Sequence, residues 1–260
     1  MSDSIMTVAE VAARAGGDVL RDWEGRVQAR EKAPHDLVTE ADLAAQQRIE
    51  EVIHEAFPDH DFLGEEGNAT WPRRSSYRWI VDPLDGTTNY VHGLQQYCVS
   101  IAVEHDDQLI AGVVFDPKAD ECFTAFRGAG AKLNGVPIRT SRCELVDKAL
   151  MAASFSAQVA RDSIEIRRFV EVLLKCQALR RLGSAALNLC YLAAGRLDGY
   201  WATSVKSWDI AAGAVIVREA GGTVTNVDGR PLDLNHPTLL AASSEKLHRE
   251  LLRSLRQANS

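Results

Sequence analysis

The chain has 260 residues, 36 acidic side chains against 29 Lys and Arg, a formal charge of -7, and 46% hydrophobic and 25% charged residues. This composition excludes disordered and fibrous classes and is large enough for one sizeable core or two smaller ones. The acid excess, with no basic stripe or tail, argues against nucleic-acid or anionic-membrane partners, and taken alone it also disfavours a phosphorylated substrate. No apolar run approaches the roughly 20 residues a membrane helix needs, and the start MSDSIMTVAEVAARAGG lacks the basic-then-apolar order of a secretory leader, so a cytoplasmic location is expected. Cys98, Cys122, Cys143, Cys176 and Cys190 are scattered, with no C-x-x-C pair, and read as small hydrophobes in a reducing compartment.

Apolar spacing predicts a first helix over about Thr7 to Arg26. A second starts after Thr39, an N-cap with Glu40 and Asp42 in the first turn, and stops at Pro58; the stretch Arg30 to Asp36 between them reads as a polar loop. Asp61 to Leu63 is a short strand. Tyr77 to Val81 is another, ending at Asp82-Pro83. Cys98 to Glu104, Leu109 to Phe115 and Glu121 to Phe126 follow with Asp-rich turns between them, the pattern of an antiparallel meander. After about Val146 strands and helices alternate: a strand at Ala149 to Ala153, helices near Asp162 to Lys175, Ala185 to Ala194 and Ile210 to Ala220, strands at Thr223 to Val227 and Leu239 to Ala242, and a last helix from Ser244 to Arg256. The expectation is an α/β layered sandwich with two subdomains, 1–145 and 146–260.

Four acidic motifs stand out. In Asp82-Pro83-Leu84-Asp85-Gly86-Thr87-Thr88-Asn89, Pro83 and Gly86 oppose a regular element, so the chain must turn directly after a strand. Two carboxylates three residues apart in a turn converge on one side, and with the Leu84 carbonyl they form the all-oxygen set that magnesium prefers. A short helix opening at Gly86-Thr87-Thr88 would aim free amides at the same spot, where a phosphate could lie. Read alone, this stretch is equally an Asx turn at a strand end. Gly64-Glu65-Glu66-Gly67 alone is an acidic surface turn, Asp209 in Trp208-Asp209-Ile210-Ala211-Ala212-Gly213 alone is an N-cap, and Asp42 in Asp36-Leu37-Val38-Thr39-Glu40-Ala41-Asp42 alone is a favourable first-turn acid.

Together, and in this order, G-E-E, D-P-L-D-G-T-T-N-Y-V-H-G, W-D-I-A-A-G and the upstream D-L-V-T-E-A-D resemble the inositol monophosphatase family over nearly the whole chain. The resemblance implies alternating αβαβα layers, as in sugar phosphatases of the fructose-1,6-bisphosphatase type. It implies a homodimer and a lithium-sensitive phosphatase using two to three Mg2+ ions. It further implies that Glu65, Asp82, the Leu84 carbonyl, Asp85 and Asp209 are metal ligands. Glu65, Thr87 and Asp42 would be catalytic, Thr87 orienting the attacking water and Asp42 polarising that threonine. Gly86, Thr87, Thr88, Gly183, Ala185 and Asp209 would contact substrate, and Lys32 and Asp36 would lie on a loop near the phosphate. Hydrolysis of a phosphomonoester by metal-activated water needs positioning and charge neutralisation and no covalent intermediate. His92, inside the longest motif, reads as structural.

One position departs from the pattern. Seven residues before Asp209 the inositol enzymes carry a Glu that contacts inositol hydroxyls; here it is Ala202. Lys206 either adds a positive group near the substrate or is a solvated loop residue. Inositol monophosphate is the first expected substrate, histidinol phosphate and fructose 1,6-bisphosphate are the alternatives, and a non-catalytic binding protein on the same scaffold is the rival of a different class.

Overall fold

The computed structural model describes residues 2–27, 29–33, 36–67, 75–156 and 158–258. Alternation along its strands sets the layering. In β4 (Tyr77–Asp85), Trp79 and Val81 pack with one core and Ile80 with another. A strand that is apolar on both faces has to be covered on both. The same alternation runs through β12 (Gly199–Ala202), where Tyr200 and Ala202 face one way and Trp201 the other, and through β14 (Leu239–Ala242).

The layers follow from these faces. Helices α1 (Ser2–Trp23) and α2 (Glu40–Ala56) cover one side of a seven-stranded sheet of order β3-β4-β5-β6-β7-β8-β9. Its strands are β3 (Asp61–Gly64), β4, β5 (Cys98–His105), β6 (Gln108–Asp116), β7 (Glu121–Phe126), β8 (Gly130–Leu133) and β9 (Val136–Ile138), antiparallel from β4 onward, with β3 parallel to β4. Helices α5 (Ala185–Ala193) and α6 (Ser207–Glu219) fill the middle layer. Below them lies a five-stranded sheet of order β11-β10-β12-β14-β13, made of β10 (Leu150–Ser154), β11 (Ala178–Arg180), β12, β13 (Thr223–Thr225) and β14. Helices α4 (Ile164–Leu173) and α7 (Glu245–Gln257) close its far face. This is the expected αβαβα sandwich. Among the described residues no helix is long and apolar enough to cross a membrane.

Three local expectations are corrected. Arg30 to Asp36 contains an antiparallel ribbon, β1 (Arg30–Ala33) paired with β2 (Asp36–Val38), whose extended segments satisfy each other's backbone groups. β4 does not end at Asp82: it continues through Pro83 to Asp85, with a register shift between Asp82 and Asp85 against β5. Such a bulge removes the ladder bond that Pro83, lacking an N–H, cannot make. Helix α6 begins at Ser207, three residues before the expected Ile210. The short helix expected at Gly86-Thr87-Thr88 is present as α3 (Thr87–Val91).

At the open end of β3 and β4, His60 stacks between Phe57 and Tyr77, each 4.6 Å away, and Tyr77 stacks on His105 at 4.1 Å. The fully buried Trp79 donates its indole N–H to His60 Nδ1 at 3.0 Å. That bond requires a neutral imidazole. Burial lowers the His60 pKa from its ordinary 6.5, His105 adds to the shift, and Asp59 and Asp61 oppose it. Protonation is harder in the folded chain than in the unfolded one, so this contribution to stability is present above about pH 6.5 and is lost as the pH falls through the lower folded value. Thermal unfolding of His60→Gln, which keeps an acceptor for Trp79 but does not titrate, is expected to fall less between pH 7.5 and pH 5 than that of the wild type. An identical fall in both proteins would show that His60 does not carry the effect.

Candidate active site

Strand register assembles the acids. Gly64 pairs with Val81 across β3 and β4, and the next N–H, that of Glu65, donates to the Val81 carbonyl at 3.1 Å. Glu65 therefore comes to lie beside Asp82, the following residue of β4. Asp82 shares the face of Ile80, two residues earlier, and so points toward the middle layer. There α6 presents Asp209 in its first turn. Ser100, opposite Asp82 on β5, donates its hydroxyl to the Trp208 carbonyl at 3.1 Å and ties the helix start to the sheet. One carboxylate oxygen from each of Glu65, Asp82 and Asp209 lies within 4.8 Å of the other two.

Asp85 stands beside this trio and faces the start of α5. Its carboxylate accepts from the Ser184 hydroxyl and the Ala186 N–H, both at 2.6 Å, and from the Ala185 N–H at 3.3 Å. The exposed amides and dipole of a helix N-terminus favour an anion in this position. Of the four acids expected to bind metal, three converge on one point and the fourth joins that point to the middle layer.

The electrostatics record what this assembly demands. Burial raises the Asp82 pKa well above its ordinary value, and the charges of Glu65, Asp85 and Asp209 raise it further. Burial likewise raises Asp209, with Asp85 adding to the shift and the Lys206 N–H opposing it. Asp85 is pushed up to about 6 by burial, held back by its bonds to Ser184, Ala186 and Ala185. Carboxylates gathered away from water without a cation are held against their mutual repulsion. An all-oxygen donor set of this kind, with Asp82, Asp85 and Asp209 raised by burial and by neighbouring carboxylates, fits a hard divalent cation.

Asp42 reaches both Thr39 and Thr87. Its Oδ2 accepts from the Thr39 N–H at 2.9 Å and the Thr39 hydroxyl at 2.6 Å, part of the cap of α2, and its Oδ1 lies 3.3 Å from Thr87 Oγ1. Thr87 Oγ1 also lies 3.1 Å from the Leu84 carbonyl. Asp209 is likewise both a cap and a member of the trio, accepting from the Lys206 N–H at 2.8 Å. For both residues the capping bond and the position beside the other candidate site residues occur together.

Gly86 precedes α3 with φ of +96°, and a Cβ there would sit 2.8 Å from the Gln96 carbonyl oxygen, so this corner is closed to L side chains on two counts. Thr88 is exposed on α3. Asn89, one residue on, is buried and donates to the Gln96 and Leu182 carbonyls, each at 2.8 Å, linking this corner to the turn that carries Gly183 and Ser184. Ala202 ends β12 and is fully buried in the middle core, while Lys206 is exposed. The Lys32 and Asp36 side chains lie outside the described residues.

Ser184 and Gln46 lie outside the four motifs and Asn89 lies inside the longest one, and all three have structural partners that the motifs do not mark. Ser184 had a legible signal, a serine directly before an apolar helix, and its hydroxyl does cap Leu187 at 3.1 Å. Asn89 and Gln46 had none, because their partners are 93 and 20 residues away in the chain.

Comparison with known proteins bears on this arrangement. The model of the inositol monophosphatase family matches residues 1–260. A protein of Mesorhizobium japonicum named inositol-1-monophosphatase is 40% identical over 257 residues, covering 96% of this chain and 95% of its own. A Pasteurella multocida protein named Nus factor SuhB is 40% identical over 255 residues, with the same two shares. The crystal structure of the extragenic suppressor protein suhB from Bartonella henselae superposes with a TM-score of 0.93 at 37% identity, covering 97% of this chain and 98% of that one. With the acids of G-E-E, D-P-L-D-G-T-T-N and W-D-I-A-A-G brought to one place on an αβαβα sandwich, the chain belongs to the inositol monophosphatase family of phosphomonoester hydrolases.

Proposed function

We propose that this enzyme hydrolyses the phosphomonoester of a small polyol, inositol monophosphate first, with two to three Mg2+ ions held by Glu65, Asp82, Asp85, Asp209 and the Leu84 carbonyl. The observation that carries the reading is the convergence of the Glu65, Asp82 and Asp209 carboxylates within 4.8 Å. When bound, the ions would neutralise the phosphate and make a water nucleophilic at neutral pH.

The protein's own groups do the positioning. Thr87 has one hydroxyl proton and two acceptors in reach, Asp42 Oδ1 and the Leu84 carbonyl. Whichever receives it, the Thr87 oxygen keeps its lone pairs for a proton of the attacking water. Asp42, already accepting two bonds from Thr39, is held in one orientation for this. Gly86, Thr87 and Thr88 offer the phosphate backbone amides, and Gly183 and Ala185 border the leaving group. Water oxygen bonds to phosphorus, the ester bond to the alcohol breaks, and the departing alkoxide takes up the proton. Lys32 and Asp36 belong in this reading to the ribbon near the phosphate. A homodimer belongs to it as well.

Ala202 supports a second reading of the substrate. A buried methyl group at the end of β12 offers no acceptor for polyol hydroxyls, and selection between inositol monophosphate, histidinol phosphate and fructose 1,6-bisphosphate then falls to the surrounding loops. Phosphate release over this panel decides: inositol 1-phosphate turning over fastest supports the first reading, and its being slowest would reject it.

Thr87→Ala is expected to lower kcat by about a hundredfold with KM within about twofold, since it removes water orientation and little binding. An effect confined to KM would contradict that role. Asp85→Asn removes a charge and sets an amide against the donors of Ser184 and Ala186, so activity at fixed Mg2+ should fall by about a hundredfold or more with the fold retained; unchanged turnover would take Asp85 out of the site.

The raised carboxyls also predict a metal-dependent stability. In the metal-free enzyme the folded Asp85 holds its proton up to about pH 6, where its unfolded counterpart, with the ordinary value of 3.8, has lost it. The cluster's contribution to stability therefore declines as pH rises through that window. Mg2+ should raise the melting temperature more at pH 8 than at pH 5. At a hundred times its Kd a ligand that binds only the folded form adds about 2.7 kcal/mol. Equal shifts at both pH values, or none, would count against these acids as the metal site.

A further inference from the structure

We infer that Gln46 is a positioning residue for the metal site, setting where the Glu65 carboxylate can reach; this rests on the magnesium reading above. Gln46 lies one helical turn after Asp42 on the same inward face of α2, and both are buried, at 6% and 1% exposure. Its side-chain amide uses both ends on one residue of the Glu65 turn. Nε2 donates to the Glu66 carbonyl at 2.7 Å, and Oε1 accepts from the Glu66 N–H at 2.8 Å. This is the two-bond exchange of a β-bridge, made by a side chain.

β3 ends at Gly64, and the ladder to β4 continues past it through the Glu65 N–H to the Val81 carbonyl. The Gln46 amide therefore fixes the peptide unit directly after Glu65, while the ladder fixes the unit directly before it. Gly64 permits this approach, because a Cβ at that position would run into Gln46 Oε1 and Cδ. With both flanking peptides pinned, the Glu65 side chain starts from one backbone orientation, aimed at Asp82 and Asp209. Without the Gln46 pair the peptide after Glu65 loses both of these bonds, and the Glu65 carboxylate must be ordered more when metal binds. Asp42 and Gln46, four residues apart, thus let one face of α2 set both halves of the site, Asp42 through Thr87 and Gln46 through Glu65.

The test is Mn2+ binding measured by calorimetry and by the loss of its free-ion electron paramagnetic resonance signal, on full-length wild type, Gln46→Met and Gln46→Glu. Methionine keeps the length and flexibility of glutamine but makes neither bond; glutamate keeps an acceptor for the Glu66 N–H. Partners that orient ligands change metal affinity by about 10- to 100-fold when removed, so Gln46→Met should bind Mn2+ about tenfold more weakly and Gln46→Glu should fall between it and wild type. Substrate KM at saturating metal should stay unchanged in both variants. Wild-type affinity in both variants overturns the inference, as does loss of a cooperative thermal transition in both, which would make Gln46 a residue of the fold alone. Absence of Mn2+ binding by the wild type would instead overturn the magnesium reading on which the inference rests.

Discussion

The constraint on which the rest depends is the enforced proximity of like charges. Glu65, Asp82 and Asp209 come from three different elements and meet within 4.8 Å, with Asp85 adjoining them. Burial raises the pKa of Asp82, and like charges at that distance, partly shielded from water, repel and raise it further. Only a scaffold whose backbone is pinned close to each carboxylate keeps such a group together. The pins are visible: the Val81 carbonyl before Glu65, the Leu84 N–H donating to Asp82 at 3.0 Å, the Lys206 N–H on Asp209, and the start of α5 on Asp85. The cost of gathering these carboxylates is offset by packing elsewhere, here by three apolar cores separated by two sheets.

The layered fold explains why this end of the molecule carries the site. The parallel register of β3 and β4 sets Glu65 beside Asp82, the bulge in β4 frees Asp85 to reach the next layer, and α6, seated on the sheet, delivers Asp209. Gly112 on β6 lets α6 approach this closely, since a Cβ there would collide with the Ala212 carbonyl. Net charge is a poor guide to such a site. A chain at -7 that gathers several of its acids at one point could hold cations there, and the charge of such ions would have to be counted before an anionic substrate is excluded.

Much of this was legible beforehand because it is local. The N-cap at Thr39, the helix opened at Thr87 and the meander after Cys98 each depend on neighbours in the chain, and each is found where the sequence places it. Asp42 and Asp209 are ambiguous between cap and site in the sequence because each caps its helix and also lies beside other candidate site residues. What escaped was non-local or compensated. Pro83 signals the end of a strand, yet a bulge against β5 carries β4 past it. The stretch from Arg30 reads as a loop because the pairing of β1 with β2 leaves no apolar alternation in the sequence. Gln46 looks like any surface helix residue until its amide is seen on the Glu66 backbone, and Asp85 gives no local sign that it binds the start of a helix a hundred residues later.

The central claim is that this pinned carboxylate cluster is the metal centre of a phosphatase. Anomalous diffraction from crystals grown with Mn2+ tests it directly. The expected result is an anomalous peak among the carboxylates of Glu65, Asp82 and Asp209. A fully loaded crystal with no peak at those three residues, or with peaks only elsewhere on the surface, would contradict it.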